Sequence, residues 1–134
     1  MAARTKPCDD TTAEGRRRKA EQFLDAAEVI RDFADDEAEV GDAFVTLCVH
    51  AGIAAADAIC CEYLGHHVQG DDHNRAVAEL GKVRPRGVEL SADLSVLLGM
   101  KTSAGYSARP VNADQRKRAW RRAERLVEAI REGS

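Results

Sequence analysis

The stretch "EAEVGDAFVTLCVHAGIAAADAICCEYLG", residues 37–65, is a long run of small and apolar residues that decides the fold. Two apolar stripes recur along it at helical spacing. One stripe contains Phe44, Leu47, Ala51, Ala55, Ala58 and Ile59, and the other contains Val45, Val49, Gly52, Ala56 and Cys60. A helix that is apolar on two sides has neighbours on both. We therefore predict a central helix over residues 37–64, which Gly65 ends.

Four further segments predict the helices that surround this one. An amphipathic stripe from Thr12 to Ala34 predicts the first helix. The segment "HNRAVAELGKV" (73–83), capped by Asp71 or Asp72, predicts a short third helix. A fourth apolar stripe runs from Leu90 to Ala104, and a last helix follows residue 112. No segment shows the alternation that is typical of a strand.

The predicted fold class is therefore all-α, an up-and-down bundle of about five helices. Residues 1–12 are predicted to be a flexible lead-in, and residues 13–132 a single domain. The composition agrees, because 44% of the 134 residues are hydrophobic and only 4% are aromatic, with many alanines. Small side chains of this kind favour close helix contacts over a β-rich core.

The net charge and the cysteine content bear on whether this protein binds nucleic acid and on the compartment in which it works. The net charge is −3, so no global basic field attracts nucleic acid. The four cysteines, at irregular spacing, do not form a disulfide framework. The N-terminus has no apolar signal region, and the longest apolar run is too short to span a bilayer. We therefore expect a cytoplasmic protein that does not associate with a membrane.

The segment "CCEYLGHHVQGDDH" (60–73) concentrates residue types that bind metals. Zinc needs about four ligands that converge on one point, whereas adjacent residues on a helix diverge by about 100°. Cys60 and Cys61 therefore point apart, and His66 and His67 follow the helix end at Gly65. The pattern favours a buried cysteine followed by a polar turn, and we predict neither a metal site nor a cofactor.

Four polar residues occupy inward-facing positions and form a candidate pocket: Asp57, His73, Lys101 and Tyr106. An unpaired carboxylate or ammonium group inside the bundle would be costly, so either Asp57 and Lys101 satisfy each other or both line one polar pocket. We predict that they face each other across a helix interface. Two interpretations remain open. The cluster is either a hydrogen-bond network that fixes helix packing, or a ligand or catalytic pocket.

The last helix has a basic face that includes Arg118, Arg121, Arg122 and Arg125, beside Trp120. This face could bind an RNA or DNA backbone in a salt-dependent way. It could also be a solvated surface with Trp120 anchored in the core, since Trp120 shares a stripe with Ala123 and Val127. A third interpretation pairs it with the acidic 32–42 segment of a second subunit.

The order of four sequence blocks resembles the HEPN superfamily of helical bundles. The blocks are "AGIAAADAICCEYLG", "GDDHNRAVAEL", "LLGMKTSAGYS" and "ADQRKRAWRRAERLVEAI", and the resemblance covers about residues 18–131. It implies a small helical bundle, often a homodimer. HEPN proteins include toxins that cleave RNA and non-catalytic partners of minimal nucleotidyltransferases.

The nuclease members of that superfamily have an Arg, four to six residues and then a His. This sequence departs from the pattern, because no Arg stands at that spacing before any of its histidines. The resemblance therefore implies a non-catalytic binding module, a partner or substrate-recognition subunit for a nucleotidyltransferase or another nucleic-acid-handling system. Two alternatives are a divergent toxin-type ribonuclease using His73 with Lys101 or Arg75, and a protein that binds RNA through its basic last helix. As a ligand pocket, the cluster with Lys101 and His73 could receive a phosphate or a nucleotide.

Overall fold

The computed structural model describes residues 5–70 and 72–132 of the chain. These ranges contain five helices and two short strands. In chain order they are β1 (Thr5–Pro7), α1 (Asp10–Phe33), α2 (Gly41–Leu64), β2 (His66–Val68), α3 (His73–Leu80), α4 (Gly87–Gly105) and α5 (Ala113–Glu132). The prediction of an all-α bundle of about five helices is confirmed.

Helix α2 is the centre of the bundle. It packs against α1, α4 and α5, and also contacts α3 and β2. Residues from both predicted stripes, such as Val45 and Ala55, are fully buried. The helix begins at Gly41 rather than at residue 37, because the Asp36 carboxylate accepts a hydrogen bond from the Ala38 N–H and holds a turn before it.

Three predicted helix boundaries are confirmed by their capping geometry. Gly65 ends α2 with a φ of 78°, which a residue without a Cβ adopts at no steric cost. The Asp72 carboxylate accepts a hydrogen bond from the Arg75 N–H at 2.9 Å and begins α3. Asn112 and Gln115 form a reciprocal capping box at the start of α5. Asp71, the other predicted cap of α3, lies outside the described residues.

The N-terminal segment differs from its prediction. Residues 5–7 form β1, which pairs antiparallel with β2 so that Thr5 lies opposite Val68. Helix α1 begins at Asp10, so the described part of the predicted flexible lead-in is strand and helix; residues 1–4 lie outside the description. The expectation of no strand was wrong because a strand of three residues is too short to show alternation.

A disulfide joins Cys8 to Cys61 and fastens β1 to α2. No disulfide framework was expected from the irregular spacing of the four cysteines, and this single bond corrects that interpretation. The other two cysteines, Cys48 and Cys60, are free and buried. Burial raises the pKa of each of these thiols to about 12.

One described segment, Glu37–Leu64, is long and apolar enough to cross a membrane by length and composition, with a mean hydropathy of 1.8. However, 72% of its most apolar window is buried by the rest of the fold. Helix α2 thus packs most of this apolar surface against the rest of the bundle.

Gly87, the first residue of α4, allows α4 to pass close to the end of α3. A Cβ at this position would lie 2.6 Å from the Leu80 carbonyl oxygen and 3.0 Å from that of Gly81. Backbone atoms cannot rotate away, so we expect Gly87→Ala to lower the free energy of unfolding by roughly 1–3 kcal/mol, as overpacking does. Urea denaturation measures this change.

Gly99 in the same helix provides the control, because a Cβ there meets nothing within 4 Å. Gly99→Ala should raise the free energy of unfolding by up to about 1 kcal/mol, since Ala is the better helix former. Equal effects of the two substitutions would show that the close approach at Gly87 is absent.

Candidate functional site

Three of the four residues of the predicted pocket line one cavity. Asp57 on α2, His73 on α3 and Lys101 on α4 enclose a space of about 130 Å³, together with residues of the β2 end. The three helices come together here because α2 and α4 both contact the short helix α3. The cavity is called the inner cavity below.

His73 and Lys101 are joined directly. The Lys101 Nζ lies 3.0 Å from the His73 Nε2. An ammonium group can only donate, so the imidazole nitrogen accepts, and its proton is then on Nδ1. Asp72 caps the N-terminus of α3, so His73 is the first residue of this helix. Lys101 thus bonds to a neutral partner.

Asp57 makes no ion pair with Lys101, although both side chains line the inner cavity, the second of the two predicted arrangements. Its carboxylate forms an ion pair with Arg16 at 3.7 Å, because α1 packs along α2 and brings its basic start to this position. Burial raises the pKa of Asp57, while the charges of Arg16 and His67 act in the opposite direction. Asp57 and Lys101 therefore line the same cavity without neutralising each other.

Tyr106 lies outside the inner cavity. Helix α4 ends at Gly105, so Tyr106 leaves the helical path and its side chain is 81% exposed. The prediction extended the helical spacing by one turn beyond Lys101, and the helix ends within that turn.

A second and larger cleft lies where α1, the following loop and the start of α2 meet α5. Its volume is about 280 Å³. The residues that line it are Arg31, Glu37, Val40, Phe44, Ala113, Arg116, Lys117, Trp120, Arg121 and Glu124. It is called the α5 cleft below. Four cationic side chains and two acidic ones surround its aromatic wall, so cationic groups predominate.

Trp120 forms the aromatic wall of the α5 cleft. Its ring stacks with that of Phe44, with 6.1 Å between centroids, and the Arg31 guanidinium lies 4.3 Å from the indole centroid. Trp120 is half-buried and packs against the core, as one interpretation expected, and it also faces the cleft. An aromatic face beside a guanidinium group suits a flat, negatively charged ligand.

The four arginines of the predicted basic face separate into different environments. Arg121 lines the α5 cleft, and Arg118 is exposed. Arg122 and Arg125 instead pair with Asp93 of α4, at 2.8 and 3.4 Å. Asp93 is only 1% exposed, so these two arginines compensate a buried carboxylate.

Sequence reasoning missed two features of this region. Arg31 was not predicted to be a site residue, although it follows Leu24 and Ala27 at helical spacing and so borders the buried side of α1. Asp93 lies between Leu90 and Leu94 on the inner side of α4, where a carboxylate needs a partner. This inward position in the sequence pattern could have indicated that Asp93 pairs with a cationic side chain such as Arg122.

The residues of "CCEYLGHHVQGDDH" contact separate parts of the fold. Cys61 forms the disulfide, and Cys60 is in the core. His66 bonds to the buried Glu79 at 3.2 Å, and His67 Nδ1 donates to the Val68 carbonyl. Within residues 5–70 and 72–132, no group of three or more His, Cys, Asp or Glu side chains could hold a metal ion.

Comparisons with models of known protein families, with curated proteins and with solved structures find no match to this chain. Its function therefore has to be argued from the residues that line the two cavities.

Proposed function

We propose that this protein is a non-catalytic, HEPN-like binding module of a nucleic-acid-handling system, and that the α5 cleft receives one nucleotide unit. The observation that carries the proposal is the Arg31 guanidinium over the Trp120 ring, beside the cationic residues of α5. The helical bundle is compatible with a HEPN-like fold, and the absence of the Arg and His spacing of the nuclease members supports the non-catalytic part of the proposal.

Each part of a nucleotide has a suitable group in the α5 cleft. A base can stack on the outer face of the Arg31 guanidinium, which itself lies over the Trp120 ring. A phosphate can accept charge-assisted hydrogen bonds from Arg116, Lys117 and Arg121. These side chains are on the first half of α5, the positive end of the helix dipole, which also favours an anion. Glu37 and Glu124 offer acceptors for the exocyclic amine of a base.

In this proposal the chain supplies recognition and a partner supplies chemistry. A minimal nucleotidyltransferase is the partner that the HEPN resemblance implies, and a homodimer is the expected assembly. The proposal places the protein in the cytoplasm, where cytosolic disulfides are rare and usually transient or redox-sensing. The Cys8–Cys61 bond would then change with the redox state of the cell.

Trp120 gives a direct test because it is the only tryptophan of the chain. Titration with AMP or a short single-stranded RNA should quench its fluorescence. Calorimetry on an Arg31→Gln/Arg121→Gln variant should give an affinity lower by tenfold or more, because each lost charged hydrogen bond is worth roughly 1.5–3 kcal/mol.

Arg118→Gln is the matched control for this titration. Arg118 is exposed on the same helix and does not line the cleft, so its loss should leave the affinity for AMP within about twofold. An equal loss in both variants would indicate non-specific attraction and contradict the proposal. RNA that is shortened rather than bound would favour the divergent ribonuclease instead.

A further inference from the structure

The inner cavity combines two opposite charges with a partly apolar lining. Lys101 and Asp57 line it from α4 and α2. The rest of the lining combines aliphatic side chains, including Ile53, Leu94 and Leu98, with the polar side chains of His50, Asp72 and His73. It is separate from the α5 cleft, since the two share no lining residue.

The ammonium group of Lys101 needs an anionic partner. Its hydrogen bond is to the neutral ring of His73, and no carboxylate of the described residues lies within ion-pair distance of it. A ligand carboxylate would therefore gain a charge-assisted hydrogen bond from Lys101.

Asp57 contributes a carboxylate to the lining of the same cavity. Its side chain is only 15% exposed, and its ion pair with Arg16 is long, at 3.7 Å. The Arg16 side chain is 39% exposed, so water also hydrates its guanidinium group. A ligand ammonium group could therefore bind to Asp57 inside the cavity without displacing Arg16.

We propose that the inner cavity binds a small zwitterion of the α-amino acid class. The ligand carboxylate bonds to Lys101, its ammonium group bonds to Asp57, and a short apolar side chain contacts Ile53 and Leu98. A cavity of about 130 Å³ has room for roughly ten non-hydrogen atoms, at about 10–15 Å³ for each water-sized group. This size admits alanine or valine.

Calorimetry with four probes tests the charge requirement: L-alanine, L-valine, propionate and ethylamine. We expect one of the two amino acids to bind at least tenfold more tightly than propionate or ethylamine, each of which lacks one charge. Equal binding of propionate would reduce the site to a carboxylate site and overturn the proposal. Inorganic phosphate binding as tightly as the amino acid would overturn it too, as would no binding by any probe.

Lys101→Met should lower the affinity for the amino acid by tenfold or more, and Asp57→Asn should do the same. Lys117→Met is the matched control: Lys117 lines only the α5 cleft, so its loss should leave amino-acid binding unchanged. Conversely, Lys101→Met should retain AMP binding, which keeps this test independent of the nucleotide proposal.

Thermal melting of Lys101→Met distinguishes a binding role from a structural one. Its melting temperature without ligand should stay close to that of the parent, while the rise on adding the amino acid should disappear. Lys101→Arg, which keeps the charge, should recover part of that rise. A Lys101→Met protein that still gains the full ligand-induced rise would contradict the assignment.

Discussion

Replacing both Cys8 and Cys61 by serine should lower the free energy of unfolding by roughly 3–4 kcal/mol relative to the oxidised protein. The bond joins residues 53 positions apart, and a cross-link over a loop of that length removes much of the conformational freedom of the unfolded chain. Urea denaturation of the oxidised protein, with and without dithiothreitol, measures the same difference.

The Cys8→Ser/Cys61→Ser variant is the control for the effect of dithiothreitol, because without this disulfide its stability should not change on reduction. Exchange with the neighbouring Cys60 should be slow: burial, and then the charges of Asp57 and Glu79, raise the pKa of its thiol to about 12. A thiol with such a pKa has almost no thiolate near neutral pH. Identical urea midpoints for the oxidised and reduced parent would contradict the predicted stabilisation.

Reduction of the Cys8–Cys61 bond should first weaken the pairing of β1 with β2. The Cys8 N–H donates to the Gly65 carbonyl, and β1 pairs with β2 directly beside it. β2 carries the buried Val68, which also lines the inner cavity. Amide hydrogen exchange of residues 66–68 should therefore accelerate on reduction more than exchange in the middle of α2.

The features that could be predicted from sequence are those encoded within a single segment. The two stripes of residues 37–64 determine that α2 is central, and Gly65, Asp72 and Asn112 end or begin helices through contacts within a few residues. Such local signals do not depend on how the helices are arranged.

The features that could not be predicted depend on which helix faces which. Asp57 was expected to meet Lys101, but the contact between α1 and α2 gives it Arg16 instead. The disulfide depends likewise on where β1 lies, and the separation of Arg121 from Arg122 depends on the rotation of α5. A periodic pattern indicates that a side chain points inward and leaves its partner undetermined.

The buried carboxylate of Asp93 gives the second large effect. Replacing Arg122 and Arg125 together by methionine should lower the free energy of unfolding by roughly 3–5 kcal/mol, because it leaves a charge without a counterion at a residue that is 1% exposed. One oxygen of Asp93 already has no hydrogen-bond partner, so loss of both arginines leaves the other without its ion pairs. Urea denaturation measures the change.

Adding Asp93→Leu to the Arg122→Met/Arg125→Met variant should restore the free energy of unfolding to within about 1 kcal/mol of the parent. An apolar side chain of similar size needs no counterion, and replacing a whole buried ion pair in this way is often neutral. Arg118→Met/Arg121→Met, on the same helix, should change stability by about 0.5 kcal/mol or less per site. If Asp93→Leu worsens the double variant, the carboxylate has a role in packing that its charge does not explain.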